Sequence, residues 1–198
     1  GRVIFDNFSY NFPPGSIAAI VGETGAGKTT LIRLLFSLVK PCKGMLTLYN
    51  NGHETIEIGS NTRMNFSYVP QGNTLFSGTI RENLLMGNKY ATEEEMNEAL
   101  KIAAANFVFN LPSGIDSVCG EIGDGFSEGQ AQRIVIARAL LKKCSIYIFD
   151  EATSSLDEAT ERIVIQNIIS SMSGRTLIFV THRPEILNYC TQILRLER

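Results

Sequence analysis

The most constraining stretch of this chain is Gly22-Glu23-Thr24-Gly25-Ala26-Gly27-Lys28-Thr29, set between a continuous apolar run and a helical segment. The run, Ile17-Ala18-Ala19-Ile20-Val21, has the length and unbroken hydrophobicity of a strand buried in a parallel sheet. Thr29 to Val39 reads as a helix stopped by Lys40-Pro41. A buried strand that enters a glycine-rich turn and leaves as a helix belongs to an α/β fold. The glycines let the backbone curl so that successive N–H groups point inward, and the helix behind them adds the positive end of its dipole. Such a turn is suited to a phosphate chain.

Further strands are expected at Phe66 to Val69, Ile146 to Phe149, Thr176 to Val180 and Gln192 to Leu196. Met45 to Tyr49 and Thr55 to Ile58 flank Asn50-Asn51-Gly52, a hairpin signal that predicts a small antiparallel element. From about Gly78 to Lys143 the composition turns helical. Thr92-Glu93-Glu94-Glu95 is a capping box for a helix running to about Asn106, and Ser127 to Leu141 is a second helix with Ile134, Ile136, Ala137 and Leu140 on its apolar side. A long helix is expected over Glu158 to Met172, with Ile163, Ile165, Ile168, Ile169 and Met172 at near-helical spacing and Gly174 capping its end. The layout is one domain over 1–198, its core at about 1–72 and 145–198 and a helical subdomain inserted at about 73–144.

The glycine-rich turn fits GxxxxGK[ST] in the strand-to-helix context that the motif requires. Gly22, Glu23, Thr24, Gly25, Ala26, Gly27, Lys28, Thr29 and Thr30 are the candidate ATP-binding residues. Lys28 would reach the terminal phosphates and the Thr29 hydroxyl would ligate Mg²⁺. The partner acids follow Ile146-Tyr147-Ile148-Phe149, where Asp150 and Glu151 emerge at the C-terminal end of a buried strand. Asp150 would hold Mg²⁺ and Glu151 would polarise the attacking water as general base.

Phosphate loops serve many ATPases; Phe126-Ser127-Glu128-Gly129-Gln130 is more selective. It resembles the signature of ATP-binding cassette (ABC) proteins, and its last residue lies 20 positions before Asp150. Physically it is a capping box, with Ser127 as N-cap and Gln130 three residues on. The resemblance spans about Val3 to Leu196. It implies a P-loop NTPase (RecA-like) core with a small antiparallel β element and an inserted helical subdomain. It also implies that Ser127, Glu128, Gly129 and Gln130 grip the γ-phosphate of ATP bound on a second nucleotide-binding domain. By the same resemblance, Gln71 is the Q-loop glutamine that contacts Mg²⁺ and the attacking water. Ser155-Leu156-Asp157 is the D-loop that crosses the dimer interface. His182, 31 residues after Glu151, is the switch histidine, whereas His53 in the hairpin is read as structural. Leu75-Phe76-Ser77-Gly78-Thr79-Ile80-Arg81-Glu82-Asn83 and Gly120-Glu121-Ile122-Gly123 are similar to exporter segments, the second to the loop that touches transmembrane domains. The implied partners are a second cassette, identical or paralogous, and transmembrane domains at the cytoplasmic face of a membrane.

Composition narrows the alternatives. With 18 basic and 20 acidic residues the net charge is −2, so no polybasic surface announces nucleic acid or anionic lipid. Cys42, Cys119, Cys144 and Cys190 are scattered without a CxxC pair, which favours reduced thiols over a metal site. No apolar run reaches the ~20 residues of a membrane span. The chain opens on Gly1-Arg2-Val3-Ile4-Phe5 rather than Met and is read as a fragment. Two departures from the family stand out. Glu128 replaces the middle glycine of the signature, with activity expected to survive if its side chain points outward. The strand that carries an adenine-stacking aromatic would lie upstream of Phe5; Tyr10 and Phe12 are poor substitutes, so weak binding through the phosphates is expected. The rival reading is a soluble ABC ATPase without a transport role, which a tandem cassette or a coiled-coil insertion would mark. A cassette with dead hydrolysis is disfavoured by Glu151 and His182.

Overall fold

The apolar run opening the phosphate loop forms the centre of a parallel sheet. In the computed structural model, which describes residues 3–49, 52, 54–120 and 125–197, strand β1 is Ile17–Gly22, with Ala18, Ala19 and Ile20 fully buried. On one side it pairs in parallel with β8 (Thr176–Val180), Ile17 opposite Leu177 and Ile20 opposite Val180. On the other it pairs in parallel with β9 (Gln192–Leu196), Ala18 opposite Gln192 and Gly22 opposite Leu196. With β4 (Phe66–Val69) and β7 (Ile146–Asp150), the hydrogen-bonded order is β4-β7-β8-β1-β9. The interleaved order places the C-terminal end of β1, where the phosphate loop leaves, beside two parallel neighbours. The α/β class and all five core strands are as the sequence predicts, three of them to the residue.

The chain divides into two compact units. The first comprises the residues up to Phe66, Cys144–Ile148 and those from Gly174 on. Its core gathers Ala18, Ile20, Leu31, Ile32, Phe66, Ile148, Ile178, Val180 and Leu194. Each large side chain sealed there contributes ~1.5–3 kcal/mol of transfer free energy. Helix α1 (Lys28–Leu35) buries Leu31, Ile32 and Leu35 in this core. It ends four residues before the predicted Val39. Ser37 turns left-handed at φ 49°, and two bonds close the end: Leu38 N–H to the Arg33 carbonyl and Ser37 N–H to the Leu34 carbonyl. Arg63 then donates to the Phe36 and Ser37 carbonyls at 2.8 and 2.9 Å, satisfying acceptors that the finished helix leaves open. Strands β2 (Thr47–Tyr49) and β3 (Thr55–Glu57) pair antiparallel, Leu48 opposite Ile56, as the hairpin signal predicts. Asn50, Asn51 and His53 lie outside the described residues.

The second unit comprises Ser67–Lys143 and Phe149–Ser173. Helix α2 (Ile80–Leu85) is capped reciprocally by Thr79 and Glu82, and α3 (Glu93–Ile102) by Thr92 and Glu95. The second box is the one expected. Helix α3 stops at Ile102, short of Asn106, because Ala104 adopts φ 52° and the Ala105 N–H returns to the Leu100 carbonyl at 2.8 Å. Helix α4 (Glu128–Leu140) is buried almost all round, Ala131, Gln132 and Val135 joining the apolar side expected of it. Helix α5 (Glu158–Ser171) buries Val164, Ile165 and Ile168, while Ile163, counted on the apolar face from spacing, is 50% exposed. Gly174 beyond it is left-handed at φ 80°. Two short strands not expected from sequence, β5 (Gly78–Thr79) and β6 (Val118–Cys119), pair antiparallel. No helix among the described residues is long and apolar enough to cross a membrane.

Candidate functional site

In the first unit the candidate residues gather where β1 becomes α1. Gly27 is the N-cap of α1 in a left-handed conformation, φ 107°, with no side-chain cap on the helix. A side chain there would be strained, and its Cβ would lie 2.8 Å from Ile4 and 3.0 Å from the Phe5 ring. Glycine at this position therefore allows both the turn and the close packing of the N-terminal segment. Gly25 is also left-handed, φ 84°, and Ala26 is buried beneath the turn, its N–H on the Glu23 carbonyl at 3.1 Å. The Lys28 ammonium donates to the Gly22 and Glu23 carbonyls at 2.5 and 3.2 Å and lies 3.2 Å from His182 Nε2. His182 follows β8, whose continuation is tied to β1 by the Thr181 N–H on the Ile20 carbonyl at 3.2 Å. Lysine and histidine, 154 positions apart, thus meet at one strand end. Thr29 is exposed and Thr30 half-buried on the first turn of α1. Tyr10 and Phe12 stack edge to face at 4.9 Å, and Phe12 packs on the core. Phe12 is half-buried there.

The second unit holds the carboxylates. Tyr68 donates its hydroxyl to Asp150 Oδ2 at 2.9 Å, and the Gln71 side-chain amide donates to Glu151 Oε2 at 2.8 Å. The structure thus brings Gln71 to Glu151, a pair that the sequence analysis assigned separately. Glu151 has φ 48°, a conformation that L-residues avoid. A glutamate held there turns the chain sharply off β7, with the Ser154 N–H closing on its carbonyl at 3.1 Å. Backbone of this kind concentrates at functional sites.

Ser127 caps α4 as expected: its hydroxyl accepts from the Gln130 N–H at 3.2 Å and Gln130 Oε1 accepts from the Ser127 N–H at 3.0 Å. Glu128, on the first turn of α4, is exposed, as Ser127 is. Gly129 packs on the segment read as the D-loop; a Cβ there would sit 3.0 Å from the Ser155 carbonyl oxygen and 3.2 Å from Leu156. Ser155 also donates to Gln132, a fully buried side chain that the motif reading passed over. Asp157 caps α5 by accepting from the Thr160 N–H at 3.0 Å, which holds its carboxyl below the usual range. Thr153, buried, donates to the buried Glu161 at 2.5 Å, anchoring the turn after Glu151 to α5. Tyr68 and Gln132 carry no local signal, since each is defined by a partner far along the chain.

The family model described as ABC transporter matches residues 5–154, about three-quarters of the chain. The chain belongs to the ABC transporter family. It is 40% identical over 98% of its length to ABC transporter B family member 18 of Arabidopsis thaliana, of which the match spans 16%. It is 39% identical over 92% of its length to the mitochondrial potassium channel ATP-binding subunit of Rattus norvegicus, spanning 26% of that protein. Among solved structures, a bacterial Atm1-family ABC exporter with ATP bound superposes with a TM-score of 0.89 at 37% identity, over 98% of this chain and 34% of that one. This ABC chain therefore spans about a third or less of the relatives it matches. The resemblance drawn from the ordered motifs and the α/β fold are both established. Of the exporter-like segments, Leu75 to Asn83 is described. Buried Asn83 holds it by accepting from the Phe76 N–H and donating to the Phe76 and Thr79 carbonyls, at 2.9, 2.8 and 3.0 Å. Glu121, Ile122 and Gly123 lie outside the described residues.

Proposed function

We propose that this chain is the nucleotide-binding domain of an ABC exporter, hydrolysing ATP to ADP and phosphate to drive transport at the cytoplasmic face of a membrane. Gly22 to Thr30 bind the phosphates, with Lys28 and His182 toward the γ-phosphate. Glu151 is the general base and Gln71 orients it. Ser127, Glu128, Gly129 and Gln130 serve the nucleotide of a second cassette, and Ser155-Leu156-Asp157 faces that partner. The helical subdomain at about 73–144 transmits closure to transmembrane domains.

The observation that carries this reading is the Gln71–Glu151 hydrogen bond at 2.8 Å on a left-handed Glu151. A carboxylate pinned by an amide and by its own backbone is fixed in place before a water arrives, the condition for general-base catalysis. The donors fit Mg²⁺: Thr29 hydroxyl, Asp150 carboxylate and Gln71 amide offer only hard oxygens. When bound, Mg²⁺ would neutralise charge on the phosphates. The names of the relatives favour a transporter cassette over a soluble ABC ATPase.

Glu151→Gln tests the proposal. Phosphate release should fall by at least ~10²-fold, the scale of a positioned base, while ATP is still bound. Light scattering should show an ATP-dependent shift from monomer to dimer. Undiminished phosphate release would remove Glu151 as the base, and a monomer at saturating ATP would count against the head-to-tail dimer.

A further inference from the structure

Tyr68 is the side chain at this site that no motif assigns. On β4 it is flanked by Ser67 and Val69, both buried, while its own ring is 38% exposed. By the two-residue period of a strand Tyr68 shares its face with Phe66, which is buried, so Tyr68 is the one residue of β4 left exposed. Strands β4 and β7 are adjacent in the sheet, and Tyr68 spends its hydroxyl on Asp150 Oδ2 at 2.9 Å.

We infer that Tyr68 is a positioning residue for the metal-binding carboxylate. This rests on the proposed role of Asp150 as a Mg²⁺ ligand. A carboxylate that receives a phenolic O–H on one oxygen is restrained in rotamer and would be held in place for the cation. Mg²⁺ demands near-ideal octahedral geometry, so a ligand free to rotate would serve it poorly. The tyrosine touches neither phosphate nor water in this role. It acts through Asp150.

The test is ATP affinity by calorimetry in Mg²⁺ and in EDTA, for the wild-type chain, Tyr68→Phe, Asp150→Asn and the double variant. Tyr68→Phe removes one oxygen from a partly exposed ring, so its melting curve should match wild type. In Mg²⁺ it should bind ATP about 10-fold more weakly, the lower end of what lost outer-shell partners cost, and in EDTA it should bind as wild type does. On the Asp150→Asn background, Tyr68→Phe should add nothing. A merely structural role would weaken binding equally in Mg²⁺ and EDTA, and that result, or an unchanged Mg²⁺ effect in Tyr68→Phe, overturns the inference. If Asp150→Asn itself keeps the full Mg²⁺ effect, the assignment of Asp150 as ligand fails, and the role of Tyr68 with it.

Discussion

Glu151 sits at φ 48°, and the strain this implies can be measured apart from the side chain. Consider Glu151→Ala and Glu151→Gly. Both lose the carboxylate and the Gln71 hydrogen bond, and both keep the backbone bond from Ser154 to the residue 151 carbonyl. They differ in only two respects. Alanine must still hold a left-handed conformation, at ~1–2 kcal/mol for an L-residue. Glycine adopts it freely but gives the unfolded chain extra entropy, at ~0.5–1 kcal/mol. At the middle of both ranges the difference leaves Glu151→Gly more stable than Glu151→Ala by about 0.75 kcal/mol, the reverse of the order at an ordinary position. For a chain of this size that is a melting difference of roughly 1–4 °C. The chain has no Trp, so far-UV circular dichroism is the readout, in urea and by heating. Both variants should lack ATPase activity. Glu151→Ala equal to or more stable than Glu151→Gly would mean that the backbone carries no strain at this residue, and the inference from φ to a site held under tension would be wrong.

Gly87 offers an opposite case. A Cβ there would lie 2.0 Å from the Arg138 carbonyl oxygen, so Gly87→Ala should destabilise by ~1–3 kcal/mol or more as α4 is pushed away; an unchanged melting temperature would refute the contact. The cysteines should alkylate in order of exposure, Cys42 first and Cys119 and Cys144 last. Burial pushes the Cys190 thiol up to about 11, leaving about one thiolate in a thousand at pH 8. The unfolded chain deprotonates Cys190 nearer pH 9, so its contribution to stability is intact below about pH 9 and is lost as pH rises toward 11. Iodoacetamide labelling followed by mass spectrometry at pH 8 and pH 10.5 checks both, and Cys190 labelling as fast as Cys42 at pH 8 would contradict them.

Interactions reaching three or four residues along the chain are legible in the sequence alone. Thr92 with Glu95 and Ser127 with Gln130 are capping boxes in sequence and in space. Strands of unbroken hydrophobicity, such as Thr176 to Val180 with all five residues buried, were equally plain. The ends of α1 and α3 were not. Both helices close through a left-handed residue that is neither glycine nor asparagine, Ser37 and Ala104. The usual sign of a helix stop is missing there, because packing holds a conformation that the residue itself disfavours. Strands of two residues, β5 and β6, carry too little period to register.

The same division runs through the candidate site. Asp150, Glu151 and His182 are visible because each ends or follows a strand, and Lys28 because it closes a glycine-rich turn; both are local patterns. Their partnerships are not: Gln71 reaches Glu151 across 80 positions, Tyr68 reaches Asp150 across 82 and Ser155 reaches Gln132 across 23. Sheet order decides which of these meet, because only the placement of β4 next to β7 sets Tyr68 against Asp150. A motif names a group that can do chemistry, while the strand order determines which neighbour constrains it. The partnerships of Tyr68 and Gln132 are therefore set by the fold and not by the motifs they serve. Replacing the partner while leaving the motif intact separates the two contributions.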